Sequence, residues 1–201
     1  MTHRLIALAA ALLLASSLPG CFLRPRPDRT RYYTLASSNA EVPVQVASDL
    51  IVGLGPVSLP GYLGRPSLVT RMDATRIEYA ELARWAEPLR KQFIRTLNED
   101  LSFALGGAQV LDFPWWPAVP MSVAVRVDVR AFENDSAGTA MLNADWSLRV
   151  PTSGAVLSQG KSVITEPASG TSGDAKVAAL NQAVARLAQE LAATIATTRH
   201  R

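Results

Sequence analysis

Acid–base or nucleophilic chemistry in this chain would have to be built without a well-placed imidazole. Its two histidines, His3 and His200, stand at opposite ends of 201 residues, so neither a Ser-His-Asp nor a Cys-His arrangement has a central base. Carboxylates remain. Glu78, Glu81 and Glu87 come close in sequence and could supply the pair that glycoside hydrolysis requires, but Arg76, Arg84 and Arg90 stand among them and offer ordinary ion pairing instead. Gly53-Leu54-Gly55 echoes a dinucleotide loop, yet Pro56 follows, Ser58 occupies the third glycine position, and no helix starts there to present its amides to a phosphate. Ser172, inside Gly170-Thr171-Ser172-Gly173, lacks the nucleophile-elbow spacing. A single cysteine excludes an intramolecular disulfide and a cysteine-rich zinc site. The expectation is a protein without catalytic residues, metal or cofactor.

Composition agrees with a binding or structural role. A chain 48% hydrophobic and 18% charged is long enough to fold as one domain. Its formal charge of +3 is small and its basic residues are scattered, which argues against a nucleic-acid partner. After Arg4, an apolar run from Leu5 to Leu18 is too short for a bilayer core that needs about 20 residues, but it suits a signal peptide. The following Leu18-Pro19-Gly20-Cys21 resembles the lipobox of bacterial lipoproteins. That resemblance implies cleavage before Cys21, diacylglycerol on its thiol and acylation of the new amino terminus, enough lipid for stable anchoring. Phe22 stands where an Asp would resemble an inner-membrane retention signal. The implied location is therefore the outer membrane, facing the periplasm.

Residues 1–20 thus read as a signal peptide and 21–31 as a tether. Arg24, Pro25, Arg26, Pro27, Arg29 and Arg31 make that tether basic and non-helical. It reads equally as a stalk with arginines near anionic headgroups or as a solvated linker. Residues 32–198 form the domain.

Strands are expected at Tyr32–Leu35, Leu50–Ser58, Ser67–Arg71 and Thr75–Tyr79. Pro88–Leu105 reads as a helix whose apolar stripe runs through Leu89, Phe93, Ile94, Leu97, Leu101, Ala104 and Leu105, stopped by Gly106-Gly107. Met121–Phe132 and Thr139–Val150 alternate as strands. For both to share an apolar face, paired positions must have opposite parity. A loop at Asn134–Ala137 satisfies this and sets Val125 opposite Trp146, Val127 opposite Ala144 and Arg126 opposite Asp145. A third strand, Val156–Thr165, precedes a helix from Asp174 to about Ala196 with Val177, Leu180, Val184, Leu187, Leu191 and Ile195 as its stripe. The expected fold is α/β: a single-domain sandwich with a mixed, largely antiparallel sheet covered by two amphipathic helices.

Two segments are left over from core packing. Val57 to Pro66 is rich in proline and glycine, which places it at the surface, yet it carries Leu59, Tyr62, Leu63 and Arg65, and Arg84-Trp85 follows. These residues read as interface anchors or, alternatively, as a loop folded back so that Tyr62 and Trp85 plug the sheet edge. The second segment is Phe113-Pro114-Trp115-Trp116-Pro117, where two adjacent indoles on a strand cannot both enter one core.

The Leu-Pro, Tyr-Leu, Arg-Pro and Val-x-Arg pieces between Val57 and Arg71, with Arg84-Trp85-Ala86-Glu87-Pro88-Leu89 and Tyr32-Tyr33-Thr34-Leu35, resemble the ABC-type transport auxiliary lipoproteins, the PqiC-like family. The resemblance implies an outer-membrane-anchored docking subunit without catalytic residues, which partners a periplasmic MCE-domain protein of an intermembrane lipid transporter and supports envelope integrity. Partner-binding would fall to Leu59, Tyr62, Leu63, Arg65, Arg84 and Trp85, with Trp115 and Trp116 as a second patch. Contact with lipid and a homo-oligomeric ring stay open. The rivals are a generic envelope adaptor, binding peptidoglycan or an assembly machine, and a hydrolase using the three glutamates.

Overall fold

The computed structural model describes residues 27–38, 43–47, 49–115 and 119–198. The signal segment, Cys21 and Trp116 lie outside the described residues.

Among the described residues eight strands make one mixed sheet: β1 (Arg31–Tyr33), β2 (Ile51–Ser58), β3 (Ser67–Arg71), β4 (Ile77–Trp85), β5 (Gln109–Asp112), β6 (Val123–Asp135), β7 (Ala140–Arg149) and β8 (Val156–Glu166). The helices are α1 (Leu89–Ala104) and α2 (Gly173–Thr198). The α/β class holds, with two helices packed on one face of a mixed sheet. Strand β6 organises it. One of its edges pairs antiparallel with β7, which in turn pairs with β8; the other takes β2 in parallel along Val123–Asp128 and then β3 in parallel at Asn134–Asp135. The sheet continues outward from β3 to β4 and β1, and from β2 to β5.

Every residue of the α2 stripe is buried, as is the α1 stripe except the half-buried Ile94. Phe93 of α1 meets Phe132 of β6 edge-on at 5.1 Å. Burying each such side chain contributes about 1.5–3 kcal/mol. Helix α1 ends where Gly106 and Gly107 take φ of 67° and 89°, a left-handed conformation that glycine adopts without a Cβ penalty.

The periodicity of α1 did not show a second buried row. Gln92, Thr96 and Asp100 follow one another at i, i+4 and i+8, each at most 3% exposed. The row receives the chain that follows β1: Gln92 Oε1 accepts from the Leu35 N–H at 2.7 Å, and Asp100 Oδ1 accepts from the Ser37 hydroxyl and the Ser38 N–H. From α2, Asn181 accepts from the Ala36 N–H. Segment 35–38 is thereby strapped across both helices, which joins the amino-terminal edge of the domain to its core.

The β6–β7 hairpin keeps the expected parity but shifts its register. Val125 opposes Leu148, Val127 opposes Trp146 and Val129 opposes Ala144. The turn forms later, with the Asp135 N–H bonded to the Thr139 carbonyl and Gly138 at φ 96°, while Arg130 is an extra residue bulged out of β6 between Val129 and Ala131. Late turn and bulge together move the pairing by two residues, so the apolar face survives. The expected Arg126–Asp145 pair does not form. Asp128 faces Asp145 instead, and Arg130 bridges both carboxylates at 2.9 and 2.8 Å. Beyond the bulge, Phe132 turns towards the helices and Glu133 to the opposite face.

Strand β4 is longer than the reading of Thr75–Tyr79, continuing to Trp85, and β5 was not anticipated. Its four residues are too few to show an alternation.

Candidate docking site

Glu133 is the most deeply placed charge on the sheet face away from the helices, with a side chain 0% exposed. Burying a carboxylate requires a counter-charge and donors. Arg71, at the end of β3, donates its Nε–H to Glu133 Oε1 at 2.6 Å; the Tyr62 hydroxyl donates to Oε2 at 2.7 Å and the Phe132 N–H to the same oxygen at 2.8 Å. Tyr62 belongs to a single 3-10 turn, Gly61–Gly64. Its carbonyl accepts from the Tyr79 hydroxyl at 3.1 Å, and the Arg65 guanidinium lies 4.6 Å above the Tyr79 ring. The turn is therefore nailed to β3, β4 and β6 at the place where β6 passes from one parallel partner to the next. Burial, and then the hydrogen bond to Glu133, push the Tyr62 phenol well above its ordinary range.

This geometry sorts the expected anchors. Leu63 and Trp85 are buried, at 4% and 5% exposure, and the Trp85 N–H bonds to the Pro66 carbonyl at 2.6 Å. Both complete the core rather than face outward. Leu59 and Tyr62 are half-buried against that core, while Arg65 and Arg84 are exposed. The turn thus shows solvent its backbone, the flank of Tyr62 and a guanidinium held on an aromatic ring.

The second patch lies over β2. Phe113 is 54% exposed and meets Trp115 edge-on at 5.2 Å. Gly53 and Gly55 make the space: a Cβ on Gly53 would stand 2.7 Å from Met121 Sδ and 3.1 Å from the Trp115 ring, and one on Gly55 2.5 Å from Phe113 Cβ. The two glycines are seats for the aromatic side chains that cross the strand, not parts of a phosphate loop. Phe113 was not among the expected anchors, although its place beside the indoles in the aromatic run could have marked it.

Glu78, Glu81 and Glu87 do not converge. Glu78 and Glu81 are exposed on β4, whose pairing with β3 shifts register between Tyr79 and Arg84, and Glu87 pairs with Arg95 at 2.7 Å. Among the described residues no group of three or more His, Cys, Asp or Glu is placed to hold a metal ion. What the surface offers is shape, guanidinium groups and aromatic rings.

Residues 33–192 match the family described as ABC-type transport auxiliary lipoprotein component. The chain belongs to that family. The matched span runs from the end of β1 well into α2, so it takes in all the sheet beyond the first strand, α1 and most of α2. No curated protein matches this auxiliary lipoprotein. Its fold is shared with two solved structures: one of an uncharacterized protein, 22% identical with a TM-score of 0.69, covering 83% of this chain and 98% of the other; and one from Xanthomonas campestris of the DUF330 family, 20% identical with a TM-score of 0.66, covering 85% and 97%. No helix among the described residues of the auxiliary lipoprotein is long and apolar enough to cross a membrane.

Proposed function

We propose that this auxiliary lipoprotein is a non-enzymatic docking subunit, anchored through acylated Cys21 in the outer membrane and facing the periplasm, that holds a periplasmic MCE-domain protein of an ABC-type lipid transporter against that membrane. The observation that carries the reading is the sole cysteine, placed directly behind Gly20 at the end of the apolar leader and ten residues before β1 in a chain of this family. Residues 1–20 serve as signal peptide, 21–31 as tether and 32–198 as the docking domain. Acyl chains confine the domain to a surface and raise its effective concentration for a partner there.

The partner surface in this reading is the turn carrying Leu59, Tyr62 and Arg65 together with the Phe113, Trp115 and Trp116 patch. Leu63 and Trp85 shape it from beneath, and Arg84 lies at its edge. Glu87, one of the three glutamates a hydrolase would use, is taken up by its ion pair with Arg95, which supports docking over hydrolysis by that group. Replacing Cys21 by Ser should move the protein from the membrane to the soluble periplasmic fraction. Unchanged membrane retention would overturn the anchoring step.

A further inference from the structure

The described domain meets its tether at β1, and that edge is unusual for its exposed side chains. In the parallel β1–β4 pairing Tyr32 lies beside Arg84. Their side chains point away from the helices, opposite to Tyr33 and the buried Trp85, and Leu82 joins them two residues along β4. Tyr32 is 62% exposed and Leu82 52%. An aromatic ring, an aliphatic side chain and a guanidinium thus share one solvent-facing patch at the sheet edge.

The surrounding charge is cationic. Arg29 and Arg31 are exposed in the residues just before Tyr32, Arg31 turning to the side of Tyr33 where it meets Asp174, and Arg24 and Arg26 precede them in sequence. Two carboxylates offset part of this: Asp174 pairs with Arg31 at 3.3 Å, and Asp28 lies within electrostatic range of Arg84. Tyr with Arg at a polar–apolar boundary is the chemistry that settles at a bilayer surface carrying anionic headgroups.

Chain length makes a bilayer the occupant. Tyr32 stands 32 − 21 = 11 residues after Cys21, a reach of at most about 40 Å when fully extended. A domain of this size has a diameter of about 40 Å. Even at full stretch, then, this edge stays within one domain diameter of the lipid, and any slack in the tether brings it down to the surface.

We propose that Tyr32, Leu82 and Arg84 form a membrane-docking patch that seats the domain on an anionic phospholipid surface and fixes which face it turns towards the periplasm. This rests on the reading that Cys21 places the chain at a membrane. The arginines engage phosphate oxygens, while the tyrosine ring and Leu82 enter the headgroup boundary.

The test uses the mature chain with Cys21→Ser, which carries no acyl group, in flotation with vesicles of phosphatidylethanolamine and phosphatidylglycerol and, separately, of phosphatidylcholine alone. The chain should float with the anionic vesicles and not with phosphatidylcholine, and Tyr32→Ser with Arg84→Glu should lower the partition coefficient about tenfold with an unchanged circular dichroism spectrum. Arg84→Lys, which keeps the charge, should partition like the parent. Equal flotation of parent and Tyr32→Ser/Arg84→Glu, or no preference for anionic vesicles, overturns the patch. Because the probe lacks an anchor, that failure is distinct from failure of the Cys21 reading, which the mass of the amino-terminal peptide of the native chain decides.

Discussion

The Tyr62 hydroxyl donates a 2.7 Å hydrogen bond to Glu133, joining a one-turn helix to a strand 71 residues later in the chain. With Arg71 on the other carboxylate oxygen, that bond turns a proline- and glycine-rich loop into a fixed surface.

Breaking this network should be costly and graded. Arg71→Ala leaves the fully buried Glu133 carboxylate without its cation and should destabilise the domain by about 3 kcal/mol. Tyr62→Phe removes one donor and should cost about 1–3 kcal/mol. Urea unfolding of each variant measures both, and the two effects should be non-additive because they share one carboxylate.

Alkaline pH should loosen the same turn. The folded-state Tyr62 pKa is raised above its unfolded value by burial and then by the Glu133 bond. The stabilisation is therefore fully present below the unfolded value of about 10 and is lost as pH rises beyond it. Between about pH 9 and 11 the parent should lose more stability than Tyr62→Phe, which has no proton to lose there; parallel pH profiles would contradict this.

Gly160→Ala should destabilise without touching any charged group. A Cβ there would stand 2.5 Å from Cζ2 of Trp146, whose indole N–H bonds to Ser162 at 3.0 Å. Overpacking of this kind costs about 1–3 kcal/mol. Adding Trp146→Phe should restore part of the loss, seen as favourable coupling in a double-mutant cycle.

The hairpin register has an electrostatic signature. Arg130→Ala leaves Asp128 and Asp145 facing each other, so its urea midpoint should fall at low ionic strength and recover towards the parent in about 1 M salt, where the screening length is about 3 Å. Arg126→Ala should show little of either effect. The reverse ranking would restore the pairing that simple alternation suggests.

These residues also show where sequence reading succeeds and where it stops. The stripes of α1 and α2 and the alternation of β6 and β7 were legible because periodicity reports which side of an element is apolar. Register was not, since Arg130 is an exposed residue whose insertion shifts the pairing while leaving the alternation from Val123 to Val129 before it intact. Gln92, Thr96 and Asp100 escaped notice because polar residues at helical spacing look like a solvated face until the strap from Leu35 to Ser38 covers the row and supplies partners for Gln92 and Asp100. For the site, the loop around Tyr62 stood out by composition, whereas Glu133 and Arg71 were invisible as its support. Nothing in a sequence announces that a charge will be buried by a residue distant in the chain.

The central claim, that this auxiliary lipoprotein docks an MCE-domain protein at the outer membrane, is tested most directly by affinity purification of the native acylated chain from detergent-extracted envelopes, with mass-spectrometric identification of the chains that co-purify. The account predicts recovery of an MCE-domain protein together with a chain acylated at Cys21, and its loss on Arg65→Glu combined with Phe113→Ser. Recovery of the acylated chain with no MCE-domain protein would contradict it.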